Sequence, residues 1–228
     1  MSDRFFTQET FTFLSKLAAN NNRDWFQENR QIYEETVRIP ALNFITDFTN
    51  DLAIISPHFT ALPKKVGGSL MRVHRDMRFG KDKRPYKTNI GIQFRHEVGK
   101  DVHAPGFYLH IENGACFIGV GIWRPDSKTL GKIRDAIVEK SDGWVTARDD
   151  KNFNKHFTIE GDALKKPPRG YAKDHPLIDD LKRKDFIAIA NLSEKEVTSK
   201  KLFPLVSERF SQATPLMSYL CNALELRF

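Results

Sequence analysis

The sequence predicts an α+β fold, a mostly antiparallel sheet with a central hairpin, packed by N-terminal, middle and C-terminal helices. Three observations carry this. Apolar residues recur at helical spacing through the first quarter of the chain and again at its end. Between about residues 88 and 123 the period drops to two. Inside that stretch, Asn113-Gly114 is a strong two-residue hairpin signal. No internal repeat, low-complexity linker or sharp compositional border divides the 228 residues, so a single domain over 1–228 is expected.

Thr7 is placed to cap a first helix whose Phe11, Leu14, Leu17 and Ala18 share a face, and Asn20-Asn21-Asn22 interrupts it. Asn22 caps a second helix, with Asp24 in its first turn and Phe26, Tyr33 and Val37 along one side. Pro40 opens a third, in which Phe44, Ile45, Phe48, Leu52 and Ile55 keep helical spacing until Pro57. Strands are expected at 69–74, 88–96, 106–112 and 115–123. A two-residue turn fixes the hairpin register. It pairs Ile111 with Cys116, Leu109 with Ile118 and Phe107 with Val120 on one apolar face. The other face sets His110 opposite Phe117, Tyr108 opposite Gly119 and Gly106 opposite Gly121, leaving room above Tyr108 and His110.

Asp126 or Ser127 caps a helix carrying Leu130, Ile133 and Ile137 that ends near Lys140 and Gly143. Residues 148–176 read as loop-rich, with one strand near 157–159. A short helix at 177–184, a strand at 186–191 and another short helix at 194–200 follow. Thr214 caps the terminal helix, with Pro215 at its first position and Leu216, Leu220 and Leu224 in a stripe.

Composition narrows the function classes. At 40% hydrophobic and 11% aromatic residues, the chain is too apolar for a disordered protein. No apolar run approaches the ~20 residues of a membrane span, and the first residues lack a basic stretch leading into an apolar one. A cytoplasmic protein without a membrane partner is expected, with Cys116 and Cys221 as buried thiols. No phosphate-cradling GxxxxGK[ST] loop, HExxH, CxxC or GxSxG occurs. Seven scattered histidines make no ligand cluster, so no metal site is expected, and the sequence names no cofactor.

The densest chemical signal runs from Arg72 to Lys87. Seven cations and two carboxylates in these 16 residues leave a local charge of +5 out of +7 for the whole chain. Such a run repels itself, and folded-in carboxylates, a small anion or a nucleic-acid backbone would each neutralise it. Arg72, Arg75 and Arg78 are candidate forked donors to an oxyanion, with Lys83 and Lys87 as point charges, Tyr86 beside them and Asp76 as a proton carrier. The bland reading is an ion-paired surface loop. A second basic cluster follows at Lys165, Lys166 and Arg169, with Tyr171, Asp174 and His175, on a loop stiffened by Pro167-Pro168. It nominates Arg169 for binding and His175 for proton transfer, against the plainer reading of a surface turn. Tyr108 and His110 are a candidate pocket floor, although a strand histidine is more often structural.

Three stretches carry a resemblance: Asn21-Asn22-Arg23-Asp24-Trp25-Phe26, then Ser69-Leu70-Met71-Arg72 through Thr88-Asn89, then Leu164-Lys165 through Tyr171 and Asp174-His175-Pro176. Together they resemble a family of uncharacterised conserved hypothetical proteins, a domain of unknown function found in bacteria and fungi. The resemblance implies one domain, supplies no activity, and nominates Arg75, Asp76, Arg78, Lys83, Tyr86, Lys87, Arg169 and His175 as family-motif positions.

The expected function is recognition of a phosphate-bearing or other anionic small molecule at the basic loop. Phosphoryl or phosphoester chemistry is the enzyme class that fits. Two alternatives stand beside it. One is a single-stranded nucleic-acid module, for which Phe79 and Tyr86 among the cations would be the stacking residues. The other is a structural protein whose basic loop meets an acidic protein partner.

Overall fold

A computed structural model describes residues 5–76, 83–98 and 104–228. Helix α1 (Gln8–Ala19) starts where the sequence places it, because Thr7 Oγ1 accepts from Glu9 N at 3.3 Å while Thr10 Oγ1 accepts from Thr7 N at 3.2 Å. Asn22 caps α2 (Arg23–Glu28) by accepting from Trp25 N. The second helix does not run on to Val37: it breaks at Asn29, and α3 (Arg30–Tyr33) begins. A π-turn at Glu34–Arg38 then carries the chain without interruption into α4 (Ile39–Ile55).

Pro40 stands in the first turn of α4, as the sequence places it, but the helical backbone reaches it without a break. In a continuous helix a proline deprives the carbonyl four residues earlier of its donor. Here that carbonyl is Thr36 O, and the buried Thr10 hydroxyl of α1 donates to it at 2.8 Å. The neighbouring helix supplies the missing hydrogen bond, so the chain passes through the proline.

The sheet is antiparallel throughout, in the order β1 (Phe59–Thr60), β2 (Ile90–His96), β3 (Gly106–Ile111), β4 (Cys116–Ile122), β6 (Phe186–Leu192), β5 (Thr158–Glu160). The β3–β4 hairpin has the expected register, with Leu109 opposite Ile118, Phe107 opposite Val120 and His110 opposite Phe117. Ala115 N donates to Glu112 O at 3.1 Å, and Gly114 takes φ +71° in the turn. Ile111, Cys116, Leu109 and Ile118 are buried together. Residues 69–74 are not the strand their alternation predicts. Leu70 bridges Ile92 on the β2 edge and His74 bridges Tyr86, so the segment changes partner before a ladder can form.

The inner sheet face packs against helices. Phe48 of α4 lies 5.2 Å from Phe94 between ring centroids, and Phe210 of α10 (Leu202–Gln212) lies 4.6 Å from Phe107. Between β4 and β5 come α5 (Ser127–Glu139), capped by Asp126, then α6 (Ser141–Arg148) and α7 (Lys151–Asn154). Trp144 of α6 covers Phe186 of β6. Two short helices, α8 (Ile178–Leu181) and α9 (Glu194–Val197), flank β6. The last helix, α11 (Thr214–Ala223), follows α10 after one residue, so Thr214 lies inside it and makes no cap. Among the described residues, no helix is long and apolar enough to cross a membrane.

Candidate functional site

Period-two alternation puts Phe107, Leu109 and Ile111 into the core and Tyr108, His110 and Glu112 onto the outer sheet face. Those three polar side chains form a line. Tyr108 Oη lies 3.0 Å from His110 Nδ1, and His110 Nε2 lies 3.2 Å from Glu112 Oε2. Asn89 Nδ2 also approaches His110 Nδ1, at 3.4 Å, and Thr88 Oγ1 donates to Glu112 Oε1 at 2.7 Å. The Phe117 ring of β4 stacks on the imidazole at 4.6 Å, which fixes its plane.

This pattern selects a tautomer. Asn89 offers an N–H and Tyr108 an O–H to Nδ1, while the Glu112 carboxylate only accepts, so the neutral imidazole carries its proton on Nε2. Burial lowers the His110 pKa against the opposing pull of the Glu112 hydrogen bond and charge, keeping the ring neutral at pH 7. Burial, then the Glu112 charge, pushes Tyr108 up to about 12, so the phenol stays protonated.

Gly91, opposite His110, leaves room beside this line. A methyl group there would lie 2.7 Å from Tyr108 Oη and 2.8 Å from Met71 Sδ. Met71 is held over this spot by donating its backbone N–H to Gly91 O.

Met71 leads directly into the basic segment. Residues 73–76 run against 83–87, with Lys87 N donating to Val73 O at 2.8 Å and Arg75 N to Pro85 O at 2.9 Å. Tyr86 anchors this pairing and is 3% exposed. Its ring stacks on Phe26 at 4.0 Å, and Asn21 grips its backbone twice: Nδ2 donates to Tyr86 O and Oδ1 accepts from Tyr86 N, both at 3.0 Å. The first and second family-like stretches thus meet here. Asn21→Ala is expected to cost about 2 kcal/mol, from two lost hydrogen bonds of ~1 kcal/mol each, measured as a lower urea midpoint at unchanged slope.

Lys87 is half-buried, and its pKa is lowered first by burial and then by the charges of Arg72 and Arg75. Arg72 is mostly exposed and lies 3.8 Å from Asp76, while Arg75 Nε donates to Tyr86 O at 3.3 Å. Lys83 is exposed at the far end of the pairing. Arg78 and Phe79 lie outside the described residues. Arg72, Arg75 and Lys87 thus lie on the two paired segments that continue from Met71 and from Thr88-Asn89, past the Glu112 end of the line.

The second basic cluster lies elsewhere. Ala163 bridges Arg183 beside the β5–β6 edge, with β3 and β4 between it and β2. There Tyr171 donates its hydroxyl to Asp135 of α5 at 2.8 Å, His175 Nδ1 accepts from Leu177 N at 3.0 Å within its own turn, and Arg169 is exposed. Another groove, about 340 Å³ in volume, runs beside α1 and is lined by Phe13, Trp25 and Ile32. Its rim sets Lys16 against Glu9 and Glu35, a poor match for an anion.

Sequence reasoning nominates Tyr108 and His110 as a pocket floor without Glu112, Thr88 and Asn89, which hydrogen bonds join to them in the structure. The available signal was the three alternate polar residues on β3. Among the described residues, no group of three or more His, Cys, Asp and Glu is arranged to hold a metal ion.

The fold and site define an α+β protein whose antiparallel sheet carries a polar line on its outer face, with a basic segment leading into β2. The chain belongs to the conserved hypothetical protein family DUF2461, whose pattern matches residues 9–219. No curated protein and no solved structure matches it.

Proposed function

We propose that the protein binds a phosphate-bearing or other anionic small molecule where Arg72, Arg75 and Lys87 meet the outer sheet face, and that it does so in the cytoplasm. One observation carries this reading: a half-buried lysine set beside two arginines, on the segment that leads into β2. Burying ammonium next to like charge is unfavourable, and an oxyanion in front of these cations reverses the sign of that interaction. The two free, buried cysteines suit a reducing compartment. The nucleic-acid alternative asks Tyr86 to stack a base, but that ring is buried against Phe26.

The test is thermal unfolding with inorganic phosphate and a panel of phosphorylated metabolites. A ligand at 100 times its Kd adds ~2.7 kcal/mol, which for a chain of this length raises Tm by roughly 5–10 °C. Arg72→Gln is expected to abolish that shift while leaving the ligand-free Tm within about 1 °C, because the side chain is mostly exposed. Tight binding of single-stranded DNA, with log affinity falling steeply in log salt and no metabolite shift, would favour the nucleic-acid reading. Silence in both assays would favour an acidic protein partner.

A further inference from the structure

We propose that the groove beside α1 binds a short zwitterionic peptide, its terminal ammonium toward Glu9 and Glu35 and its terminal carboxylate toward Lys16. The groove holds about 340 Å³, within the range of small-molecule sites. Its residues are other than those of the anion site above, and neither reading depends on the other.

Chain direction sorts the charges along the groove. Glu9, Phe13 and Lys16 fall at helical spacing on one side of α1, and Trp25, Asn29, Ile32 and Glu35 supply the opposite wall. The two walls run antiparallel, because the chain reverses at residues 20–22. At one end Thr10 of α1 meets Thr36 through their 2.8 Å hydrogen bond, and toward the other Phe13 meets Trp25, with ring centroids 5.8 Å apart. Both carboxylates therefore stand at the start of α1, and the ammonium stands two turns further on.

These charges are not spent on one another. Among the described residues, neither the Glu9 carboxylate nor the Lys16 ammonium has an ion pair or a hydrogen bond, and Glu35 accepts only from Gln31 Nε2, at 2.9 Å on one oxygen. Between the two ends the lining is apolar: Phe13 is buried, Trp25 half-buried and Ile32 46% exposed. An anion would meet two like charges and a simple cation would meet Lys16, whereas a molecule with an ammonium at one end, an apolar body and a carboxylate at the other is complementary throughout. Length agrees as well. Seven helical residues separate Glu9 from Lys16, about 10 Å, and three extended peptide residues span about the same distance. Asn29 suits an amide backbone in between, because its Nδ2 donates to Trp25 O at 2.8 Å and its Oδ1 is left to accept a peptide N–H.

The experiment titrates the full chain with the peptide Ala-Leu-Ala and follows nitrogen-15 NMR, with the Trp25 indole N–H assigned by its loss in Trp25→Phe. Saturable shifts at Trp25 and along α1 are expected. Acetylating the amino end of the peptide, or amidating its carboxyl end, should each weaken binding about fivefold, the upper range for an exposed charge pair. Lys16→Gln should weaken the unmodified peptide by the same factor and leave the amidated one unchanged. Glu9→Gln combined with Glu35→Gln should do the same for the unmodified peptide and leave the acetylated one unchanged. All three positions are exposed, so these variants should fold, and one that had lost structure would weaken every peptide alike. The absence of a saturable shift at Trp25, equal affinity for capped and uncapped peptides, or a loss in the variants that ignores the caps would each overturn the proposal.

Discussion

Replacing Gly121 by alanine should lower Tm by about 10 °C or more. Gly121 lies within β4 at φ +108°, a backbone conformation that side-chain-bearing residues rarely adopt. An added methyl group would also sit 2.0 Å from Phe186 O, a backbone atom of the adjoining strand. The obstacle cannot rotate away, because β4 and β6 are paired from Cys116–Leu192 to Ile122–Phe186. Backbone strain and overpacking together are worth roughly 3–5 kcal/mol, and each kcal/mol moves Tm by roughly 2–4 °C at this length. Gly114 provides the comparison. It also has positive φ, at +71°, but its added methyl would meet open space, so Gly114→Ala should cost only about 1 kcal/mol. Equal losses in the two variants would show that the β4–β6 contact yields easily.

Phe48→Ala should be comparably severe. The ring is fully buried and lies within 5.6 Å, between centroids, of Phe44, Phe94, Phe203 and Phe210, joining α4 to β2 and α10. Truncation removes its burial and opens a cavity that four rigid neighbours fill poorly, at a cost of roughly 3–5 kcal/mol. Six residues later on the same helix, Ile54 is 84% exposed, so Ile54→Ala should change stability by less than ~0.5 kcal/mol. Urea unfolding of the two variants measures the difference. A small loss for Phe48→Ala would mean that the aromatic cluster repacks.

The hairpin was legible because two rules agreed on it: Asn113-Gly114 demands a turn, and alternation then leaves one register that buries Leu109 and Ile118 together. The caps at Thr7, Asn22 and Asp126 were legible for a similar reason, since each precedes a clear apolar stripe. Elsewhere a distant residue decided the outcome. Pro40 does mark the start of α4, but that a helical backbone runs into it unbroken is seen only with Thr10 in place to satisfy Thr36 O. The 69–74 alternation reads as a strand unless Asn21 and Phe26 are known to hold Tyr86 opposite His74. In α10, Pro204 near the N-terminus and a stripe of only Leu202, Val206 and Phe210 are weak local signals for a helix. As for the site, charge density pointed to Arg72 and Lys87, while Glu112 and Asn89 emerge only once the β2–β3 register is known.

The Asn21–Tyr86 grip also bears on when the site forms as the chain folds. The two residues are 65 positions apart, so closing that loop forfeits chain entropy that neither turn chemistry nor local helix formation returns. The β3–β4 hairpin, with its two-residue connection, pays almost none of that cost and can form early. The polar line of β3 thus belongs to the fast, local part of folding, whereas the cations beside it wait for the N-terminal helices to dock. A chain whose N-terminal helices have come undone can carry Tyr108, His110 and Glu112 in register while the 72–87 segment has lost the contact that holds Tyr86.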